Sequence, residues 1–316
     1  MAFAFTFPGQ GSQHVGMGRE LAEAFTAARD VFAEIDDALS QHLSKLMWEG
    51  PESDLQLTEN TQPALMAVSL AVMRALEAEA DINVTRARFV AGHSLGEYSA
   101  LAAAGSLTIA DTARILRTRG RAMQEAVPVG EGAMAALIGI DVDAAKDITK
   151  RAEQACGGAV CAPANDNAPG QVVVSGAREA VEQAMEFAKD AGARRALLLP
   201  VSAPFHCALM EPAAQVMHET LGNAAIRSPA VALVANVTAK PVSDSDEIVD
   251  LLVEQVTAMV RWRECVLTMA QAGVDAVYEI GSGKVLSGLA RRISPDLNTM
   301  SIAGPGDLET LAAALD

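Results

Sequence analysis

The sequence predicts an α/β protein: a mostly parallel sheet covered by helices, interrupted midway by a smaller βαββαβ unit. Three observations predict it. Short apolar runs alternate with amphipathic stretches at the helical period. Two of those runs end in glycine-rich turns, FPGQG (7–11) and GHSLG (92–96). Between about residues 133 and 199 the rhythm changes to strand, helix, two strands, helix and strand.

Residues 3–7 are an apolar run stopped by Pro8 and Gly9, which reads as a buried strand entering a loop. Helical patterns follow over 17–32 and 39–48. The segment TQPALMAVSLAVMRALEAE (61–79) is apolar nearly all round, so it predicts a buried helix. A second strand, 87–91, breaks at Gly92, and 95–104 returns to helical composition. An Arg-rich amphipathic helix covers 109–126 and is closed by Pro128, Gly130 and Gly132.

Within the changed rhythm, strands are expected at 133–140, 159–164, 171–175 and 194–199. Helices fall at 142–155 and 178–191, and Asn-Asp-Asn-Ala-Pro-Gly (165–170) reads as a turn. This order in about 70 residues is the split βαβ, ferredoxin-like pattern. It is read as an insert entered near Pro128 and left near Ser202. The first rhythm then resumes, with helices at 210–221, 247–259, 263–273 and 284–293 and strands at 231–235 and 276–280. The expected division is therefore a large subdomain of 1–127 and 203–316 and a small one of 128–202.

The 316 residues are half apolar and one-fifth charged, which suits a globular enzyme. Aromatics are only 4%, so the core must be built from Ala, Val, Leu and Met. A net charge of −16 argues against a nucleic-acid binder, whose affinity comes from neutralising phosphates. No 18-residue apolar run predicts a membrane span, and MAFAFTF lacks the basic start of a signal peptide. Cys156, Cys161, Cys207 and Cys265 form no CxxC pair and read as free thiols of a reducing, cytoplasmic compartment. No metal-ligand cluster or nucleotide-binding glycine loop is apparent, so neither a metal nor a cofactor is expected.

Gly92-His93-Ser94-Leu95-Gly96 matches G-x-S-x-G. A strand that turns sharply into a helix strains its central residue, and flanking side chains would clash, so glycine is needed on both sides. The serine hydroxyl then projects above the sheet edge. The Leu95 N–H lies at a helix N-terminus, where it can stabilise an oxyanion. The bland alternative is a glycine-rich strand–helix turn without chemistry.

A serine nucleophile needs a base, and there are five histidines: His14, His42, His93, His206 and His218. His42 and His218 lie among polar residues in amphipathic helices. His93 adjoins Ser94, and neighbouring elbow residues point apart. His14 follows the first glycine turn. His206 sits in the loop VSAPFHC between a strand and a helix, where α/β sheets place function. Arg114, Arg117, Arg119 and Arg121 share one helix; 117 and 121 lie on one side at i, i+4, while 119 points elsewhere. By pattern alone a serine hydrolase or thioesterase, an acyltransferase and a non-catalytic module all stay open.

Five segments together resemble the malonyl-CoA:acyl carrier protein transacylases of bacterial fatty-acid synthesis. They are FPGQGSQ (7–13), GHSLGEYSA (92–100), RTRGRAMQEAVP (117–128), PVSAPFHCALM (200–210) and VYEIGSGKVLSGL (277–289), in order and with matching spacing. The resemblance implies an α/β-hydrolase-like large subdomain with a ferredoxin-like insert, and a monomer. It implies malonyl-CoA and acyl carrier protein as partners, and a ping-pong reaction through a malonyl-serine. A trans-acting acyltransferase of a polyketide pathway fits the same motifs.

By motif, the resemblance makes Ser94 the nucleophile, His206 the general base and acid, and the N–H groups of Gln10 and Leu95 the oxyanion hole. Arg119 would pair with the free carboxylate of malonate, and the backbone carbonyl of Gln255 would orient the histidine. Met123, Met134 and Asn165 are further substrate-side candidates, although such methionines are more often core fillers and such an asparagine more often turn chemistry. Two positions depart from the pattern. Gly281-Ser282-Gly283 stands where the family usually has Gly-Pro-Gly, and Phe205 stands where many members have Ser. A ring at 205 resembles malonyl-selective acyltransferase domains and would crowd an α-methyl branch. Docking of an acidic carrier protein on an acidic enzyme is expected to use a basic patch of Arg117, Arg121, Lys284, Arg291 and Arg292.

Overall fold

The structure is a computed structural model that describes residues 2–315. In chain order its strands are β1 (Phe3–Phe7), β2 (Phe89–Gly92), β3 (Gly132–Ile138), β4 (Cys161–Ala168), β5 (Gln171–Ala177), β6 (Arg195–Leu198), β7 (Leu233–Val234), β8 (Pro241–Val242), β9 (Ala276–Ile280) and β10 (Asn298–Ile302). The helices of the first part are α1 (Arg19–Ala24), α2 (Thr26–Leu39), α3 (Leu43–Glu49), α4 (Glu52–Leu55), α5 (Thr58–Ala80), α6 (Gly96–Ala103) and α7 (Ile109–Glu125). Those of the second are α8 (Val142–Ala155), α9 (Arg178–Asp190), α10 (Glu211–Gly222), α11 (Ser245–Glu254), α12 (Trp262–Gln271), α13 (Val285–Ile293) and α14 (Pro305–Leu315).

The fold is mixed α/β with two sheets. The larger has six strands in the order β10-β9-β1-β2-β7-β8, parallel except for the β7–β8 pair. Every residue of β1, β2 and β9 is buried, as parallel strands covered on both faces must be. The smaller sheet has four strands in the order β4-β5-β3-β6, all antiparallel. Its helices α8 and α9 cover one face through Ile148, Ala152, Val181 and Ala184. Met134, Ala164 and Val173 join the main core instead. No helix among the described residues is long and apolar enough to cross a membrane.

The all-round apolar segment becomes α5, whose residues from Asn60 to Met73 are buried without interruption. Glu279 at the end of β9 accepts the N–H groups of Leu286 and Ser287 at 3.1 and 2.7 Å. A carboxylate there offsets the positive end of the α13 dipole and ties that helix to the sheet.

The sheet order decides where function can lie. From β1 the chain builds outward through β2 and β7, then returns to the other side of β1 with β9 and β10. Loops leaving the carboxyl ends of β1, β2, β7 and β9 therefore converge on one edge, at the switch in strand order.

Several expected elements are corrected. The single helix at 17–32 is two, because Phe25 adopts extended backbone (φ −125°, ψ 124°) and packs its ring on the core. The helix expected from 39 begins at Leu43, since Ser40 turns left-handed and ends α2. The turn expected over 165–170 shrinks to its end. Residues 165–168 extend β4 with two bulges, held by Asp166 N–H to the Val260 carbonyl and by Val260 N–H to the Ala164 carbonyl. A tertiary partner thus overrides turn composition. The strand expected at 231–235 is two residues long, and the helix expected at 247–259 stops at Glu254. Strands β8 and β10 and helices α4 and α14 had no expectation. β10 reads polar, NTMSI, because it is an edge strand and only Ile302 is buried.

Two glycines test this packing with opposite signs. A Cβ on Gly92 would sit 1.9 Å from the Gly96 carbonyl carbon, whereas one on Gly288, inside α13, meets nothing. Gly92→Ala should destabilise by about 2 kcal/mol or more. Gly288→Ala should stabilise by up to about 1 kcal/mol. Paired denaturant melts check both, and equal effects would refute the assignment.

Candidate active site

Ser94 stands between the end of β2 and the start of α6 with φ +54°, a left-handed conformation rare outside glycine. The reason lies in the close approach of its neighbours. Gly92 nearly touches Gly96, and a Cβ on Gly96 would lie 2.2 Å from the Phe7 carbonyl oxygen. Strand and helix can meet that tightly only without side chains. A buried asparagine holds the strained turn: Asn236 Oδ1 accepts the Ser94 N–H at 2.8 Å, and its Nδ2 donates to the Gly92 carbonyl at 2.7 Å.

His206, in the loop after β6, also has a left-handed backbone, φ +59°. Its Nε2 lies 2.8 Å from Ser94 Oγ and its Nδ1 lies 2.8 Å from the Gln255 carbonyl oxygen. A carbonyl only accepts, so Nδ1 carries the proton and Nε2 offers its lone pair to the serine hydroxyl. The early stop of α11 matters here. Gln255 follows the last helical residue, which leaves its carbonyl available for the imidazole. Burial, and then the Arg119 charge, hold the His206 pKa down to about 3.

Arg119 is 1% exposed. Its Nη1 donates to Gln62 Oε1 at 2.8 Å, and its Nη2 to Gln255 Oε1 at 2.9 Å and Ser94 Oγ at 3.2 Å. The guanidinium also lies 5.5 Å from the centre of the Tyr98 ring. Burial pulls the Arg119 pKa down, while Tyr98 and Glu97 act to raise it. A cation in the core, partnered by neutral amides and bonded to the serine hydroxyl, is suited to an anionic group joined to that serine.

Glu97 closes the network from behind. Its Oε1 accepts the Asn236 N–H at 2.6 Å, and its Oε2 accepts Gln255 Nε2. Burial pushes its pKa up to about 8, opposed by the Asn236 N–H, the Gln255 amide and the Arg119 charge.

The loop after β1 lies against the elbow: a Cβ on Gly9 would be 2.8 Å from the His93 carbonyl oxygen. Gln10 follows directly. Its N–H and that of Leu95 have no acceptor among the described residues. Ser282 secures this loop by donating its hydroxyl to the Ser12 carbonyl at 2.7 Å, a bond that proline at 282 could not make.

The remaining candidates lie as follows. His93 turns away from Ser94, bonds Asn167 Oδ1 at 2.8 Å and packs on Trp262. His14 is exposed beside Ser282, His42 is exposed just before α3, and His218 is exposed on α10. Met123 lies against Gln62, whose Nε2 is 3.8 Å from its sulfur. Phe205 and Met134 are buried in the main core. Asn165 is a β4 residue bridged to Val260, and no hydrogen bond joins it to Ser94 or Arg119. Sequence reasoning passed over Glu97 and Gln62, both inside or beside noted segments, and Asn236, which carried no local signal. No group of three or more His, Cys, Asp or Glu among the described residues is arranged to hold a metal ion.

The expected basic patch is redistributed. Arg117 donates to the Glu59 carbonyl and Gln41 Oε1, and Arg121 pairs with Glu59. Both serve to dock α7 on the start of α5. Lys284, Arg291 and Arg292 stay exposed at α13, where Arg292 reaches the turn between β4 and β5.

Comparison with known proteins agrees with this geometry. The acyl transferase domain family matches residues 4–298. The malonyl CoA-acyl carrier protein transacylase of Escherichia coli (strain K12) is 46% identical over 314 residues, 99% of each chain. The solved acyl-carrier-protein-S-malonyltransferase from Bartonella henselae superposes with a TM-score of 0.96 at 54% identity, covering 100% of this chain and 99% of its own. A malonyl-transacylase solved with its type II PKS acyl-carrier protein gives 0.95 at 42% identity, covering 99% of this chain and 100% of that one.

The low His206 pKa has a kinetic consequence. The imidazole stays neutral well below the usual histidine range, so its lone pair persists in mild acid. Acylation of the wild type should lose less than about threefold in kcat/KM between about pH 7 and pH 5. A decline centred near the ordinary histidine pKa would refute it.

Proposed function

This chain belongs to the acyl transferase domain family, and from that membership we propose that it moves malonyl from malonyl-CoA to the phosphopantetheine thiol of acyl carrier protein for fatty-acid synthesis. The observation that carries the reading is the buried guanidinium of Arg119, 3.2 Å from Ser94 Oγ. A hydrolase of neutral esters has no use for a cation there.

The reaction runs in two half-reactions through one intermediate. Ser94 Oγ attacks the malonyl carbonyl carbon while its proton passes to His206 Nε2. The N–H groups of Gln10 and Leu95 stabilise the resulting oxyanion; such a donor typically contributes about 10²–10³ in rate. The intermediate collapses, the C–S bond breaks, and the CoA sulfur leaves with the proton from His206. His206 then takes the proton of the carrier-protein thiol, whose sulfur attacks the malonyl ester. Ser94 departs as the alcohol, reprotonated by His206. Throughout, the Gln255 carbonyl holds the imidazole in one tautomer, so the site works as a dyad with a carbonyl in place of an aspartate. Arg119 binds the free carboxylate through a planar fork, a charge-assisted contact worth about 1.5–3 kcal/mol.

The large sheet and its helices, 1–127 and 203–316, form an α/β-hydrolase-like subdomain in this reading, and 128–202 a ferredoxin-like insert. The insert matches that pattern in strand order, β4-β5-β3-β6. The carrier protein docks beside α13, on Lys284, Arg291 and Arg292, where the two sheets adjoin. The reading carries with it a cytoplasmic monomer that needs no cofactor and binds no nucleic acid. The net charge of −16 speaks against nucleic acid, and the four free cysteines suit a reducing compartment.

Two measurements test the proposal. Intact-mass analysis after mixing with malonyl-CoA should show a malonyl adduct on the wild type and none on Ser94→Ala. Transfer of that adduct to carrier protein should outrun its release to water; the reverse would identify a hydrolase. Phe205 is expected to disfavour an α-methyl branch, so malonyl-CoA should exceed methylmalonyl-CoA in kcat/KM by about tenfold or more. Equal values would remove that role.

A further inference from the structure

The geometry points to Glu97 as a positioning residue for substrate choice: through the side-chain amide of Gln255 it orients Arg119, and so sets the preference for an acyl group that ends in a carboxylate. The inference deepens the proposed function and rests on its assignment of Arg119.

The chain of contacts runs in one direction. Glu97 is 1% exposed, and both its oxygens face N–H donors: the Asn236 backbone and Gln255 Nε2. That pattern is satisfied by the carboxylate, the form present above its raised pKa of about 8, because both oxygens then only accept. With its Nε2 so engaged, and donating also to the Ser94 carbonyl at 3.0 Å, the Gln255 amide must turn Oε1 the other way. Oε1 then accepts Arg119 Nη2. Nη2 is also the nitrogen that touches Ser94 Oγ, where the acyl group would be attached. The carboxylate thus selects one of the two amide orientations, and that orientation presents an acceptor to the guanidinium instead of a second donor. Its charge also acts on the buried cation. Gln62 holds Nη1 on the other side, so the fork is fixed at both ends.

A glutamine at 97 fills the same space but cannot satisfy this arrangement. It offers one acceptor and one donor where two acceptors are needed. Either the Asn236 N–H faces another donor, or the Gln255 amide flips and sets its NH₂ against Arg119. The contact between Arg119 and a malonyl carboxylate is weakened in the second case and in any mixture of the two. A thioester without the carboxylate, such as acetyl-CoA, does not use that contact.

The test compares acylation of Ser94 by malonyl-CoA and acetyl-CoA in wild type and Glu97→Gln, at about pH 9, where the carboxyl is ionised. The malonyl:acetyl ratio of kcat/KM should fall about tenfold in the variant, through a raised KM for malonyl-CoA. A purely structural role would lower both thioesters by the same factor; an unchanged ratio overturns the inference and leaves the transacylase reading standing. No malonyl preference in the wild type would overturn the Arg119 assignment and this inference together. If Glu97→Gln fails to fold, Glu97→Asp decides on the same ratio. It keeps the charge but is one methylene too short to reach both donors, so an unchanged ratio there also overturns the inference.

Discussion

A left-handed serine is the constraint around which the rest of the structure is arranged. A φ of +54° at Ser94 costs free energy that a non-glycine residue recovers only when its surroundings leave no alternative. Gly92 and Gly96 supply the room, the Phe7 carbonyl closes it from the neighbouring strand, and the Asn236 side chain grips the turn from both sides. Phe7 and Gly92 end β1 and β2, Gly96 opens α6 and Asn236 follows β7; these three strands adjoin in the sheet, so the strain is held against a buried part of the molecule. His206 carries similar strain at φ +59°. Two such residues in one hydrogen bond show a site whose geometry is imposed by the fold.

The second organising feature is a buried polar network with one formal cation at its centre. Unpaired polar groups in a core are costly, and a charge more so, unless each finds a partner. Gln255 meets that requirement by doing three things at once. Its backbone carbonyl orients His206, its Oε1 accepts from Arg119, and its Nε2 donates to Glu97 and Ser94. The same burial that keeps Arg119 away from water keeps His206 neutral. Substrate choice and proton transfer thus draw on one low-dielectric environment.

How much of this was legible depends on what kind of information each feature needs. The nucleophile elbow is local: glycines two residues either side of a serine declare a tight strand–helix turn. Helix α5 is local too, because its apolar residues leave no polar face. Arg119 was separable from Arg117 and Arg121 by helical phase alone. Asn236, by contrast, follows a two-residue strand and sits in an unremarkable Ala-Asn-Val-Thr run. It matters only because β7 lies beside β2. Asn165 and Asp166 read as a turn, and contacts with the Val260 backbone hold them in a strand.

The sequence by itself determined the alternation of strands and helices, the βαββαβ interruption, the serine and its glycine frame, and the separate helical phase of Arg119. All of these are written in spacings of a few residues, and periodicity and turn chemistry act over that range. Only the tertiary structure decided that His206 meets Ser94 across 112 positions. It alone shows that α11 stops in time to spare the Gln255 carbonyl, and that Glu97 stands behind them. Hydrogen bonds between residues far apart in the chain depend on sheet order and on which loops share an edge, and no local pattern encodes that.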